Sequence, residues 1–228
     1  MKKLVVLTGA GMSAESGIKT FRDADGLWEG HDVMEVATPE GFRNNPELVL
    51  EFYNQRRRQL KEVLPNQGHL NLAKLESDYE VTIVTQNVDD LHERAGSTNV
   101  VHLHGELRKV RSTMNPKLIY HHEDDIVLGD KCEKGSQLRP HIVWFGEDVP
   151  MINKAADIVE AADIVVIIGT SMQVYPAAGL VNFADPNVPI YFIDPNPNFN
   201  PNHYPNDITI IQKGAGAGTD ELMLKLID

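Results

Sequence analysis

Apolar residues fall in short solid runs separated by longer mixed stretches. Leu4 to Leu7, Val81 to Val84, Val100 to Leu103, Ala161 to Ile168 and Pro189 to Ile193 each predict a strand, and the unbroken apolar character of AADIVVII at 161 to 168 predicts burial on both faces. Between them, Pro46 to Leu64 sets Leu48, Phe52 and Leu60 along one side of a helix, and Leu70 to Leu75 continues helical. Asp89 to Arg94 predicts a short helix closed by Gly96, Ala177 to Ala184 another, and Asp220 to Leu226 a closing one. Such alternation predicts an α/β fold, a mostly parallel sheet with helices on both faces. Arg111 to Pro140 breaks the pattern: it has few apolar residues, mixed charge, Gly129 and Gly135, and predicts a small inserted module. PNPNFNPNHYPND at 195 to 207 predicts a loop.

Composition narrows the class. With 228 residues, 42% of them hydrophobic, the chain is long enough for one large domain carrying a small module. A net charge of −12 argues against nucleic-acid binding, which needs a basic patch, and favours basic partners such as lysine-rich peptides. Lys2-Lys3 before Leu-Val-Val-Leu resembles a signal start, but Thr8 and Gly9 interrupt the run too early. No stretch is long enough to span a bilayer. The lone Cys132 has no partner for an internal disulfide, so a cytoplasmic protein without membrane contact is expected, and a monomer.

Candidate chemistry begins in VVLTGAGMSAESGIKTFRDADGLWEG, residues 5 to 30. Gly9, Gly11 and Ala14 satisfy the dinucleotide pattern G-x-G-x-x-G/A after a strand, which makes the fold Rossmann-like. In hydride-transfer enzymes a long helix and a second strand follow. Here Gly17 stops the helix after roughly two turns, and Phe21, Arg22 and Asp23 read as loop. TQNVDDLHERAG at 85 to 96, HLHGEL at 102 to 107, RPHIVWFGE at 139 to 147 and GTSMQVYPAAG at 169 to 179 each stand where a strand gives way to a loop, the edge on which open α/β sheets bind ligands.

Together these motifs resemble the sirtuins, NAD-dependent protein-lysine deacylases, in family order over nearly the whole chain. The resemblance implies one catalytic domain over 1–228, with its Rossmann-like part at about 1–106 and 142–228, the module at about 107–141 and the helical part of a small lobe at about 27–65. It implies NAD as cofactor and acyl-lysine proteins or peptides as partners. His104 would be the base taking a ribose proton, a role suited to an imidazole that titrates near neutrality. Asn87 would order the ribose and Asp89 hold the nicotinamide carboxamide, within a stretch Gln86, Asn87, Val88, Asp89. Backbone N–H groups from Gly9, Ala10 and Gly11 would meet the pyrophosphate with Arg22 adding charge. Ser13, Ala14, Ile18 and Phe21 would line the pocket, while Gly169, Thr170, Ser171, Asp194 and Ala215 would serve the adenosine side. Val143, Trp144, Phe145 and Gly146, through Glu147, would face Val174 and Tyr175 across an extended substrate peptide.

Blander readings stand beside these. His102 and His104 share a strand face and could be a polar pair or half a metal site. Trp144 and Phe145 could be ordinary core aromatics. In the run Arg56-Arg57-Arg58, Arg57 and Arg58 are expected on a solvated helix face. The chain also departs from the family. Sirtuins usually hold a structural zinc with four cysteines in the module, but here only Cys132 remains, with Ser112 near a lost position, so no metal is expected and the module should fold without it. His121 and His122 are adjacent and poorly placed to replace a ligand pair. Asp194 replaces a usual asparagine. A sensor that binds NAD or ADP-ribose without turnover, or a mono-ADP-ribosyltransferase, are the alternative functions.

An expectation about acyl preference rests on Ala24, Tyr53 and Arg56, although Arg56 could be a surface charge and Tyr53 a core ring. Tyr53 and Arg56 lie three apart on the predicted helix and so share a face. Sirtuins that prefer acidic acyl groups carry this Y-x-x-R spacing and a small alanine in the cofactor loop, which implies removal of succinyl and malonyl as well as acetyl groups, with release of nicotinamide and O-acyl-ADP-ribose.

Overall fold

The computed structural model describes residues 1–19, 27–28, 30–198 and 200–227. In chain order the strands are β1 (Lys3–Thr8), β2 (Leu27–Trp28), β3 (His31–Asp32), β4 (Glu80–Thr85), β5 (Val100–His102), β6 (Gly105–Ser112), β7 (Ile119–His121), β8 (Leu138–Ile142), β9 (Ile164–Ile168), β10 (Ile190–Ile193) and β11 (Ile208–Ile211). The helices are α1 (Val33–Val36), α2 (Pro39–Asn44), α3 (Pro46–Glu62), α4 (Gln67–Leu75), α5 (Leu91–Ala95), α6 (Ile152–Glu160) and α7 (Ala215–Ile227).

Six parallel strands form the main sheet in the order β11-β10-β9-β1-β4-β5. Side chains alternate through it. Val5 and Leu7 face a core with Ala155 and Val159 of α6, while Leu4 and Val6 face Leu72 and Leu75 of α4 and Leu222 of α7. Both faces are covered, which is why the strands read as solid apolar runs. From β1 the chain steps outward to β4 and β5, then returns to lay β9 on the other side of β1. Strand order therefore reverses between β1 and β9, and the loops leaving these neighbours diverge to open a crevice.

A second body of structure packs on α3. Val49, Phe52, Tyr53 and Leu60 of that helix meet Val36, Leu107, Ile142 and Trp144 in a separate core. Pro46 opens α3 with Asn45 accepting from the Leu48 N–H, and Pro39 with Thr38 does the same for α2. The stretch composition marked as irregular contains β7 and parts of β6 and β8, which pair as a three-stranded antiparallel sheet in the order β7-β6-β8.

Several local expectations are corrected. After β1 the chain makes two separate 3₁₀ turns, Ala10–Met12 and Ala14–Ser16, rather than one α-helix; Gly17, at φ 91°, closes the second. Ala177–Phe183 is likewise 3₁₀. Pro65 stands between α3 and α4, and Asn66 caps α4 in a reciprocal box with His69. Strand β11 and helix α6 had no counterpart in the apolar pattern. Among the described residues, no helix is long and apolar enough to cross a membrane.

Candidate functional site

The loops after β10, β9, β1, β4 and β5 emerge side by side from one edge of the sheet. With α3 and the segment following β8 they line one cleft of about 620 Å³. Four strand spacings of ~4.8 Å separate the loop at Asp194 from that at His104, a trough of about 19 Å along the sheet edge.

At its middle the glycine loop locks onto the neighbouring strand. Gly9 N–H donates to Ile168 O at 3.1 Å and Gly11 N–H to Gly169 O at 2.8 Å. A β-carbon on Gly11 would stand 2.7 Å from Gly169 Cα, and Gly169 itself sits at φ +60°. These glycines are required for backbone to meet backbone across the switch point. Gly9 and Gly11 line the cleft, but their N–H groups, expected to face a pyrophosphate, are engaged by the carbonyls of Ile168 and Gly169. Ala10, Ser13, Ala14 and Ile18 line the cleft, as do Thr170, Ser171 and Asp194. Gln86 Nε2 bridges to Thr170 Oγ1 at 3.1 Å. Ala215 is a buried first residue of α7, and its neighbour Gly214 lines the cleft instead. Phe21, Arg22 and Ala24 lie outside the described residues.

Next along the edge is a buried polar cluster. Asn87 Nδ2 donates to Ser13 Oγ at 3.1 Å, and that hydroxyl donates to Asp89 Oδ2 at 2.9 Å; Asp89 Oδ1 also accepts from Leu91 N–H. Burial pushes the Asp89 carboxyl above its usual range despite these donors. Beneath it, Thr85 Oγ1 accepts from Asn87 N–H and from Thr8 Oγ1, and Thr8 Oγ1 lies 3.1 Å from His92 Nε2. His92 packs against His69 at 4.8 Å between ring centroids. Burial drives His69 to a pKa of about 4 and His92 well below the ordinary histidine value, so both are neutral. Neither threonine nor these histidines stood out in sequence, where they read as strand and helix filler.

His104 follows β5. Its Nδ1 lies 3.2 Å from Gln86 O, and because a carbonyl only accepts, this nitrogen carries the proton and Nε2 keeps its lone pair. Burial lowers the ring's pKa, outweighing the Gln86 hydrogen bond, so the imidazole is a neutral base near pH 7.

Beyond His104, α3 and the segment after β8 close the end of the cleft. Tyr53 and Arg56 both line it, so they share the face their spacing predicts. Tyr53 is fully buried, and its hydroxyl accepts from Trp144 Nε1 at 3.0 Å. Arg56 Cζ lies 3.6 Å from the Phe52 ring centroid and 6.0 Å from that of Trp28, a cleft residue with no sequence signal of its role. Trp144 carries Arg139 on its face, Cζ at 3.2 Å, and Glu147 joins Arg139 Nη1 at 2.7 Å to Arg111 Nη2 at 2.9 Å. Phe145 and Tyr175 are exposed at the cleft mouth, with Val143, Gly146 and Val174 beside them. The N–H groups of Val143, Trp144, Phe145 and Glu147 donate to His104 O, Glu147 Oε2, Ala37 O and Trp144 O.

Arg57 is another correction. It is 1% exposed, its Nε donating to Leu107 O and Nη1 to Asn54 Oδ1, because the side chain turns under the three-stranded sheet. Arg58 does lie at the surface, paired with Glu51 and Asp125. In the module, the Cys132 thiol donates to Ser112 Oγ at 3.4 Å. Among the described residues, no group of three or more His, Cys, Asp or Glu side chains is placed to hold a metal ion.

The family profile described as Sir2 matches residues 9–176. An NAD-dependent protein deacylase of Helicobacter pylori is 58% identical over 228 residues, covering 100% of this chain and 99% of that protein. One of Bacteroides thetaiotaomicron is 56% identical over 233 residues, with 100% and 99% coverage. Among solved structures, a Sir2 homologue in complex with NAD superposes with a TM-score of 0.84 at 41% identity, covering 99% of this chain and 90% of that one. A Sir2–p53 peptide–NAD⁺ structure superposes at 0.78 with 28% identity, covering 97% and 92%.

Proposed function

The chain belongs to the Sir2 family, and from that premise we propose that it is an NAD-dependent protein-lysine deacylase acting on succinyl and malonyl as well as acetyl groups. The observation that carries this reading is that His104, the Ser13–Asn87–Asp89 cluster and the Tyr53–Arg56 pair all line one cleft.

The residues fit NAD. Hydroxyls and an amide from Thr170, Ser171 and Gln86 lie over β9 and β4, where hydroxyl-rich adenosine would rest, and Asp194 adds an acceptor one strand further out. Ser13, Asn87 and Asp89 supply a buried set of donors and acceptors for the nicotinamide end. When bound, NAD would supply a scissile nicotinamide–ribose bond and the ribose carbon that receives the acyl oxygen. Nε2 of His104, which keeps its lone pair, would accept a ribose hydroxyl proton. Asn87 is pre-oriented by Ser13, and Asp89 would hold the carboxamide, its hydrogen-bonding capacity sheltered from water by burial. Addition of one water would then release free lysine, leaving nicotinamide and O-acyl-ADP-ribose as the other products.

The substrate peptide lies between Phe145 and Tyr175. With four of the five N–H groups of 143–147 already engaged, strand addition there falls to Gly146 and to carbonyls. At the acyl end the phenol oxygen of Tyr53 accepts from Trp144, which directs its own O–H toward the substrate, and Arg56 meets the distal carboxylate. Nicotinamide release measured with and without acylated peptide tests the reading. Release that requires peptide supports it; release without peptide indicates an ADP-ribosyltransferase, and binding without release indicates a sensor.

A further inference from the structure

His102 is absorbed by none of the roles above, yet it touches the loop that carries two of them. It stands at the end of β5 beside Thr85, with its side chain 7% exposed. Its Nδ1 lies 3.0 Å from Asn87 O and its Nε2 lies 2.7 Å from Glu93 Oε1 on α5. Both partners are acceptors, so satisfying both requires a proton on each nitrogen, and the ring is then an imidazolium. Both backbone groups of Asn87 are held, its N–H donating to Thr85 Oγ1 and its C=O accepting from His102. The next carbonyl back, Gln86 O, is taken by His104. Two histidines at alternate positions thus grip successive carbonyls of one loop.

We propose that His102 is a positioning residue, a doubly donating imidazole that ties Asn87 to Glu93 and so fixes the loop presenting Asn87 and Asp89 to the cofactor. Burial alone would depress its pKa, but the Glu93 carboxylate outweighs that and holds it above the ordinary histidine value. The other charged or titratable groups facing it are Asp89 in the loop, Glu106 of β6 with its partner Lys109, and neutral His92 on α5. Its two links are separable. Asparagine places an amide near the Nδ1 position, keeping the donor to Asn87 O while dropping Glu93; leucine keeps neither.

The test compares His102→Leu, His102→Asn and Glu93→Gln with wild type by NAD calorimetry, steady-state kinetics and ¹⁵N NMR of the imidazoles. His102→Leu is expected to weaken NAD binding by roughly ten- to hundredfold with the acyl-peptide KM little changed, and His102→Asn to recover most of the loss. In wild type both His102 nitrogens are expected to be protonated at pH 7, and Glu93→Gln to lower the titration midpoint and weaken NAD severalfold. NAD affinity in His102→Leu within threefold of wild type, His102→Asn as weak as His102→Leu, or a neutral His102 in wild type would each overturn the assignment. If His102→Leu does not fold, Glu93→Gln and the NMR decide. The kinetic arm rests on the deacylase reading; a wild type that releases no nicotinamide defeats that reading, while calorimetry and NMR still judge His102.

Discussion

Arg56→Met tests the proposed recognition of acidic acyl groups. Methionine keeps an unbranched stem against Phe52 and Trp28, whose rings lie 3.6 and 6.0 Å from the guanidinium carbon, and removes the charge together with the Nη1 hydrogen bond to Phe52 O within the same helix. A hydrogen bond to a charged group contributes about 1.5–3 kcal/mol. At about 1.4 kcal/mol per factor of ten, desuccinylation is expected to fall about ten- to a hundredfold, while an acetyl group, with no distal carboxylate, loses nothing. The assay is kcat/KM on matched succinyl and acetyl peptides for both proteins. Because the lost contact exists before and during reaction, most of the effect belongs in the peptide KM. A succinyl-to-acetyl ratio within threefold of wild type would refute the reasoning and return Arg56 to a packing role over Phe52. Equal loss on both peptides would refute it as well, by showing damage to the cleft.

His104→Ala is expected to lower peptide-dependent nicotinamide release by about 10²–10⁴-fold while calorimetric NAD affinity stays within threefold, the cofactor being held mainly by other loops. Because burial depresses the His104 pKa and the base must be unprotonated, activity should survive below the ordinary histidine value of about 6.5 and disappear as pH falls through the depressed one; a kcat/KM acid limb centred above pH 7 would contradict this. Gly11→Ala should lower the melting temperature and weaken NAD together, since its β-carbon would press 2.7 Å from Gly169 Cα and part the two loops, an overpacking cost of about 1–3 kcal/mol by urea unfolding. Asn54→Ala should destabilise by about 3 kcal/mol, because it strips both Ile126 backbone groups and Arg57 of a partner, whereas Arg58→Ala leaves the urea midpoint unchanged.

What the chain discloses before folding divides along physical lines. Strands buried on both faces are unmistakable as apolar runs, so β1, β4, β9 and β10 are legible, and with them the loops that carry Gly9, Asn87, Gly169 and Asp194. Short elements stabilised by tertiary contacts are not. Strand β11, ITII, lies beyond a Pro/Asn-rich loop at the edge of the sheet, and α6 is a nine-residue helix that buries Ala155 and Val159 fully and Ile152, Ala156 and Ile158 in part. Position along a helix also leaves Arg57 and Arg58 indistinguishable, because which of two adjacent arginines is covered depends on where the β6 sheet lands. The glycine motif is legible as a need for small residues but not for its reason: the crowding comes from Gly169, distant in sequence.

The same distinction explains how a module with a single cysteine bears on the end of the cleft that Tyr53 and Arg56 line. Its antiparallel sheet delivers Arg111 and Arg139 from β6 and β8 to one carboxylate, Glu147, just past the end of β8. Burial would raise the Glu147 pKa, but hydrogen bonds from Arg139 and the Trp144 N–H, with the charge of Arg111, hold it below the usual carboxylate range, so the trio stays charged near neutrality. Arg139, so anchored, lies flat on Trp144, and the indole N–H then fixes the Tyr53 hydroxyl. On the other side of α3, Asn54 and Arg57 fasten the helix to Ile126 and Leu107. The helix that presents Tyr53 and Arg56 is therefore gripped from two directions by the module's hydrogen bonds and ion pairs. A sheet that supplies two buried guanidiniums and a helix clasp shapes the Tyr53–Arg56 end of the cleft through its own side chains, and, on the proposed acyl role of that pair, a change in its packing should register as altered acyl preference before it registers as lost NAD binding.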